Sequence, residues 1–250
     1  MTKIRLVSAL LMTLTLVACG GGGGGGSDST APATASTAEG IWRGTIQGGA
    51  SMTGVVLDDG TFYVLYSPAG RPDLIAGLVQ GSGAARNGSF TSSNARDFVI
   101  NDDVYSASVS ASYTSKQTFN GSVTYTNGTT GTFTSSYDSA YEQPASLTAI
   151  AGSFSGQSAS SAGVQTGVVT VQSNGAFRST SNGCTVTGTL TPRGSVNVFN
   201  MSATFGGGAC VFGTSTLNGI AVYNATSKRI YAAAPNAGRT DGFLFVGTKP

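Results

Sequence analysis

Tyr105-Ser106-Ala107-Ser108-Val109-Ser110-Ala111-Ser112-Tyr113 alternates, without a break, between an apolar or aromatic residue and serine. Successive side chains of a strand point to opposite faces, so this stretch has one face to pack and one to wet. A sheet of that kind is antiparallel and covered on one side. Downstream, Phe119, Gly121, Val123 and Tyr125 alternate against Thr118, Asn120, Ser122 and Thr124. Asn127-Gly128 follows, a pair suited to a type I′ hairpin because both residues tolerate positive φ. Gly131 and Phe133 then resume the apolar face, and the same period returns at Val186, Gly188 and Leu190 and at Met201, Ala203 and Phe205.

Two further hairpins look like copies of each other. Asp58-Asp59-Gly60 separates Gly54–Leu57 from Thr61–Tyr66, and Asn174-Gly175 separates Val168–Gln172 from Ala176–Ser179. Thr53-Gly54-Val55-Val56 matches Thr166-Gly167-Val168-Val169, and Gly40-Ile41-Trp42-Arg43-Gly44 matches Gly152-Ser153-Phe154-Ser155-Gly156, at offsets of 113 and 112 residues. An internal duplication accounts for both. The chain is therefore expected to be all-β: two tandem antiparallel lobes, residues 39–146 and 149–250, joined at Glu142-Gln143-Pro144-Ala145. Each lobe is a β-barrel or a β-sandwich, with one larger barrel built from both halves as the alternative. Trp42 is expected to plug its lobe. A barrel embedded in a membrane would show apolar bands outside, whereas the outward faces here are Ser and Thr.

The N-terminus has the parts of an export signal. Lys3 and Arg5 precede an apolar run, Leu6–Ala18, too short for the roughly 20 residues that span a bilayer. Leu16-Val17-Ala18-Cys19 at its end resembles the bacterial lipobox. That resemblance implies removal of residues 1–18 and two or three acyl chains at Cys19, enough for a lasting anchor where one chain binds only marginally. Gly20 is not the aspartate that the family uses for inner-membrane retention, which implies the outer membrane. Residues 19–38 are rich in Gly, Ser and Thr and are read as a disordered tether with an end-to-end distance near 25 Å, from about 5–6 Å × √n. A glycine-rich spacer followed by Gly-x-aromatic-x-Gly at the head of each lobe resembles, in outline, the two-lobed β-barrel surface lipoproteins of the transferrin-binding type. No ligand residue of that family maps onto this chain.

Loss of Lys3 and Arg5 with the leader leaves 11 basic and 11 acidic side chains, a neutral protein without the basic patch that nucleic acid requires. The charges are unevenly placed. Residues 39–146 carry five basic and nine acidic groups, a balance of −4, and residues 149–250 carry six basic groups and Asp241 alone, a balance of +5. Attraction between the lobes explains that split without a partner. With Cys19 committed to lipid, Cys184 and Cys210 form an even pair in an exported protein and are expected to be joined.

The chain has no histidine, which removes Ser-His-Asp and Cys-His catalysis, HExxH metal sites and imidazole bases. Ser115-Lys116 and Ser227-Lys228, read as strand residues, would put each lysine on the face opposite its serine. Asp58-Asp59 and Asn101-Asp102-Asp103 are read as turn formers; no metal and no cofactor is expected. The five Asn-x-Ser/Thr sequons, at Asn87, Asn120, Asn127, Asn200 and Asn224, follow from composition. Tyrosine is concentrated in the first half. Tyr105, Tyr113 and Tyr125 share a packed face, and Tyr63 and Tyr66 are the candidate contact residues because they lie on opposite faces of one strand. The functional expectation is a non-catalytic outer-membrane lipoprotein that binds a protein, a glycan or a small ligand, or serves a structural role. The alternatives are an envelope glycan-acting enzyme using two carboxylates and a lipocalin-like carrier with an open apolar cavity.

Overall fold

The computed structural model describes residues 37–250. The leader, Cys19 and nearly all of the tether lie outside the described residues. Two closed eight-stranded antiparallel barrels follow one another. The first contains β1 (Gly40–Ile46), β2 (Ala50–Val56), β3 (Thr61–Ser67), β4 (Gly77–Ser82), a short flanking strand β5 (Ala84–Arg86), β6 (Ser89–Val99), β7 (Val104–Thr114), β8 (Thr118–Tyr125) and β9 (Thr130–Asp138). Its ring closes where β1 pairs with β9 and where β4 pairs with β6, leaving β5 outside. The second contains β10 (Gly152–Ser160), β11 (Gly163–Val171), β12 (Ala176–Ser181), β13 (Cys184–Pro192), β14 (Phe199–Phe205), β15 (Thr216–Asn224), β16 (Arg229–Pro235) and β17 (Gly242–Thr248), and closes where β10 meets β17. Neither a sandwich nor one large barrel forms, because the first and last strands of each half pair with each other.

The two barrels correspond in detail. Trp42 and Phe154, at matching positions, are both fully buried in their own barrels. The glycine two residues after each lies at the closing seam. A Cβ on Gly44 would sit 1.9 Å from the Thr134 carbonyl oxygen, and one on Gly156 would sit 2.0 Å from that of Val246. The Gly-x-aromatic-x-Gly pattern thus supplies a plug and a close strand approach.

The hairpins at 57–61, 125–129 and 172–176 share one turn. Gly60, Gly128 and Gly175 take positive φ, and their amides bond back to Leu57, Tyr125 and Gln172. Asp59, Asn127 and Asn174 each accept from the amide two residues on. Asn127 does not take positive φ, so its hairpin is not type I′. It is a three-residue loop ending on a left-handed glycine. Lys116 and Lys228 do not lie in strands; both take positive φ in turns, within Thr114-Ser115-Lys116 and its copy Thr226-Ser227-Lys228. Opposite-face geometry therefore does not apply to them. Lys116 pairs with Glu142 at 2.7 Å, and Lys228 donates to the Pro250 carbonyl.

The joint is a 3₁₀ turn, Ser139–Glu142, and one helical turn, α1 (Leu147–Ile150), capped by Asp138 and Ser146. It leaves the barrels in contact. Tyr63, Leu65, Leu78 and Phe98 from the outer face of the first pack with Val198, Ile220, Val222, Leu244 and Val246 of the second. The charge split is used at the same seam. Arg193 pairs with Asp58 at 2.6 Å and Asp59 at 3.2 Å, Arg239 donates to the carbonyls of Gln80 and Asn94, and Arg229 donates to that of Pro72. Arg43, from the acidic half, stands over the Tyr231 ring.

Candidate ligand cavity in the first barrel

The two barrels are filled differently. The second is packed by Phe154, Phe177, Phe199, Phe205, Phe245, Met201 and Leu217. At the end where β14 leads into β15, residues 206–215 fold across the mouth. Cys210 in this loop is bonded to Cys184, as the sequence predicts, and Phe212 packs on Phe205 with ring centroids 4.9 Å apart. Only a void of about 70 Å³ remains there.

The corresponding end of the first barrel carries no such loop. Its lower half is filled by aromatics: Trp42 lies 5.4 Å from Phe119, and Phe90 packs edge-on against Phe62 and Phe119. Above them lies a cavity of about 190 Å³, bounded by Met52, Val64, Val79, Val109, Val123 and Phe133 among others. Ile46, Val64, Tyr66, Val123 and Tyr125 belong to the inner cluster yet are only partly buried, because the space they face is empty. The mouth is framed by the turns that follow β1, β3, β6 and β8. The chain enters β1 at the opposite, closed end, where the Trp42 indole nitrogen donates to the Ala38 carbonyl at 2.9 Å.

One charged group reaches this interior. Asp97 is 3% exposed; its Oδ1 accepts from the Tyr66 hydroxyl at 2.8 Å and its Oδ2 from the Tyr125 hydroxyl at 2.6 Å. Burial pushes its carboxyl above the ordinary carboxylate range, and the two hydroxyls oppose that rise. Tyr66 and Tyr125 are pushed up in turn, by burial and by Asp97, and stay protonated donors.

Asp97 points inward because β6 carries a bulge. Ser92 pairs with Val109, but the next inward pair is Ala95 with Ala107, so β6 holds one residue more than its partner between them. Phe90 and Ser92 face in before the bulge, Ala95 and Asp97 after it, and Arg96 is turned out, where it bonds Ser106. Unbroken alternation would have put Arg96 inside. Asn94 holds the bulge by bonds to Ser82, and its carbonyl accepts from Arg239. The fourth inward position of the matching strand β14 is Phe205. One duplicate thus has a carboxyl under an open mouth, the other a phenyl ring under a stapled plug.

The candidate contact residues are separated by this geometry. Tyr63 is 8% exposed in the seam between the barrels, so contact with an outside partner there is corrected. Tyr66 lies in the cavity wall, where a ligand inside the barrel would meet it. Tyr113 belongs to the core, as the sequence predicts, whereas Tyr125 lines the cavity and Tyr105 stands edge to face beside Tyr125, 36% exposed, with its hydroxyl on Asp102. Asp97 and the roles of Tyr105 and Tyr125 escaped the sequence reading. The only available signal was the small polar run Ser92-Ser93-Asn94. Among the described residues, no cluster of three or more His, Cys, Asp or Glu could hold a metal, and no helix is long and apolar enough to cross a membrane. No protein-family model, no curated protein and no solved structure matches the chain.

Proposed function

We propose that the chain is a non-catalytic lipoprotein of the bacterial envelope, fastened to the outer membrane through Cys19. Its first barrel binds a small apolar ligand, and its second is a filled, stapled platform. The cavity of about 190 Å³ carries the binding part of this reading. An interior that a barrel of this size would ordinarily fill with side chains is left open in one copy and closed in the other. A comparable apolar cavity, about 150 Å³, stays dry and takes benzene, so the expected ligand is one ring or a short alkyl chain. The lipobox resemblance supports the anchor, and the mouth lies at the opposite end of the barrel from the residue where the chain enters.

Catalysis by paired carboxylates has less support. Asp58 and Asp59 are held by Arg193, and Asp102 accepts from the Asp103 amide and from Tyr105. These are turn and seam contacts rather than a pair flanking a cleft.

Trp42 is the only tryptophan in the chain and borders the cavity, so its emission reports occupancy. With the chain from residue 19 bearing Cys19→Ser, toluene should change Trp42 emission saturably. Val64→Phe, which fills the space, should weaken that binding by about tenfold or more, because burial of a ligand of this size is worth about 1.5–3 kcal/mol. A flat titration up to the solubility limit would contradict the reading. For the anchor, Cys19→Ser should abolish metabolic palmitate labelling in the full chain, and labelling that persists would remove the membrane assignment.

A further inference from the structure

We propose that the ligand of the first barrel is a small organic cation, an amine carried on one ring or a short alkyl chain, with its ammonium group held at Asp97 between Tyr66 and Tyr125. This rests on the cavity reading above and adds the chemistry of the polar end. Asp97 is buried in an otherwise apolar chamber, and the donors that bond it, Tyr66 and Tyr125, are neutral hydroxyls. Among the described residues no Lys or Arg forms an ion pair with it, and the neighbouring Arg96 is turned out by the bulge. A buried carboxylate without a cation is expensive, and a ligand that brings the cation removes the penalty.

The mouth points the same way. Its four turns contain Asp73, Asp102 and Asp103 and a single cation, Arg71, which Asp73 engages at 3.3 Å. Arg229 of the second barrel also reaches the β3–β4 turn, at the Pro72 carbonyl, whereas Asp102 and Asp103 form no ion pair among the described residues, so the turn after β6 presents net negative charge at the entrance. A carboxylate or phosphate ligand would meet Asp97, Asp102 and Asp103, whereas a cation is drawn in. Tyr66, Tyr105 and Tyr125 add ring faces, and Tyr105 and Tyr125 stand edge to face at 6.4 Å; a cation over such faces gains further attraction. A carboxylate has about four acceptor sites, of which the two hydroxyls use two. That leaves oxygen lone pairs for an N–H donor. Size selects the rest: about 190 Å³ takes a phenyl ring or a few methylenes below the ammonium and excludes a long acyl chain.

Binding should depend on pH with a definite sign. Tyr66 from β3 and Tyr125 from β8 bond Asp97, Tyr105 from β7 is its cross-strand neighbour, and β4 places apolar Val79 on its other side; the acids Asp102 and Asp103 lie in the turn before β7. The tyrosines stay neutral over the working range, so amine affinity should rise as the pH passes upward through the Asp97 carboxyl and fall only when the amine itself deprotonates.

The test uses the chain from residue 19 with Cys19→Ser and three probes of one shape: toluene, benzyl alcohol and benzylamine, read by Trp42 emission and by calorimetry at pH 7. Benzylamine should bind about tenfold or more tighter than benzyl alcohol, the preference expected of a charge-assisted contact. Asp97→Asn should bring the two within about threefold of each other. Equal or weaker binding of the amine by the unmodified site, with toluene bound, would overturn the amine assignment and leave the cavity reading standing. Failure of all three probes would overturn the cavity reading itself. Should Asp97→Asn not fold, the amine-to-alcohol ratio between pH 4 and 8 decides: a ratio rising with pH supports Asp97, and a flat ratio refutes it.

Discussion

Replacing Trp42 by alanine is expected to cost about 3–5 kcal/mol of stability, the range for truncating a large aromatic in a core that cannot collapse. Three features put it there. The side chain is fully buried and contacts Phe119 and Tyr137, each at 5.4 Å between ring centroids. Its indole nitrogen bonds the Ala38 carbonyl, so truncation also releases the segment that leads into β1. The walls around it are fixed by the β1–β2 and β1–β9 ladders, and the space above is already open, so the new void adds to an existing one. Urea unfolding followed by far-UV circular dichroism measures the loss. A decrease below about 1 kcal/mol would mean that the plug is not what holds the closed end.

Removing the Cys184–Cys210 bond by a double serine substitution is expected to cost about 3.5 kcal/mol by the chain-entropy estimate for a loop of this length. For a chain of this size that is a fall of ~7–14 °C in Tm. The separation of the two cysteines is 26 residues. The bond also keeps the loop 206–215 over the second barrel, although the loop has support of its own: the Gly206 amide bonds Thr185 and the Gly207 amide bonds Gly213. Thermal melts of oxidised protein and of the double variant give the comparison. A shift under about 2 °C would show that the loop's own hydrogen bonds and the Phe205–Phe212 contact suffice.

The strands were legible because, away from the seam between the barrels, each has a filled or lined inside and a Ser/Thr outside, and a period of two follows directly. Tyr105–Tyr113 and Phe119–Tyr125 became β7 and β8 as alternation predicts. The two-lobed arrangement was legible from the matching Gly-x-aromatic-x-Gly motifs and hairpins. Other features depend on placement that alternation does not encode. The type of the Asn127-Gly128 turn was misread because loop length decides it, and Thr126 belongs to the loop. Tyr63 looked available because its strand has two faces, and only the second barrel, packed on the outer one, removes it. The charge asymmetry pointed to attraction between lobes, but the carbonyls that receive Arg229 and Arg239 are set by the fold. Asp97 was hidden most completely. One additional residue in β6 reverses the parity of everything after it, exchanging Arg96 for Asp97 inside the barrel.

The central claim, that the first barrel holds a ligand while its duplicate does not, is tested most directly by locating toluene in a crystal of the protein soaked with it. The account predicts density in the first barrel above Trp42, between Val64, Val109 and Val123, and none inside the second. Toluene absent from the first barrel, or present only beneath the Cys184–Cys210 loop, would contradict it.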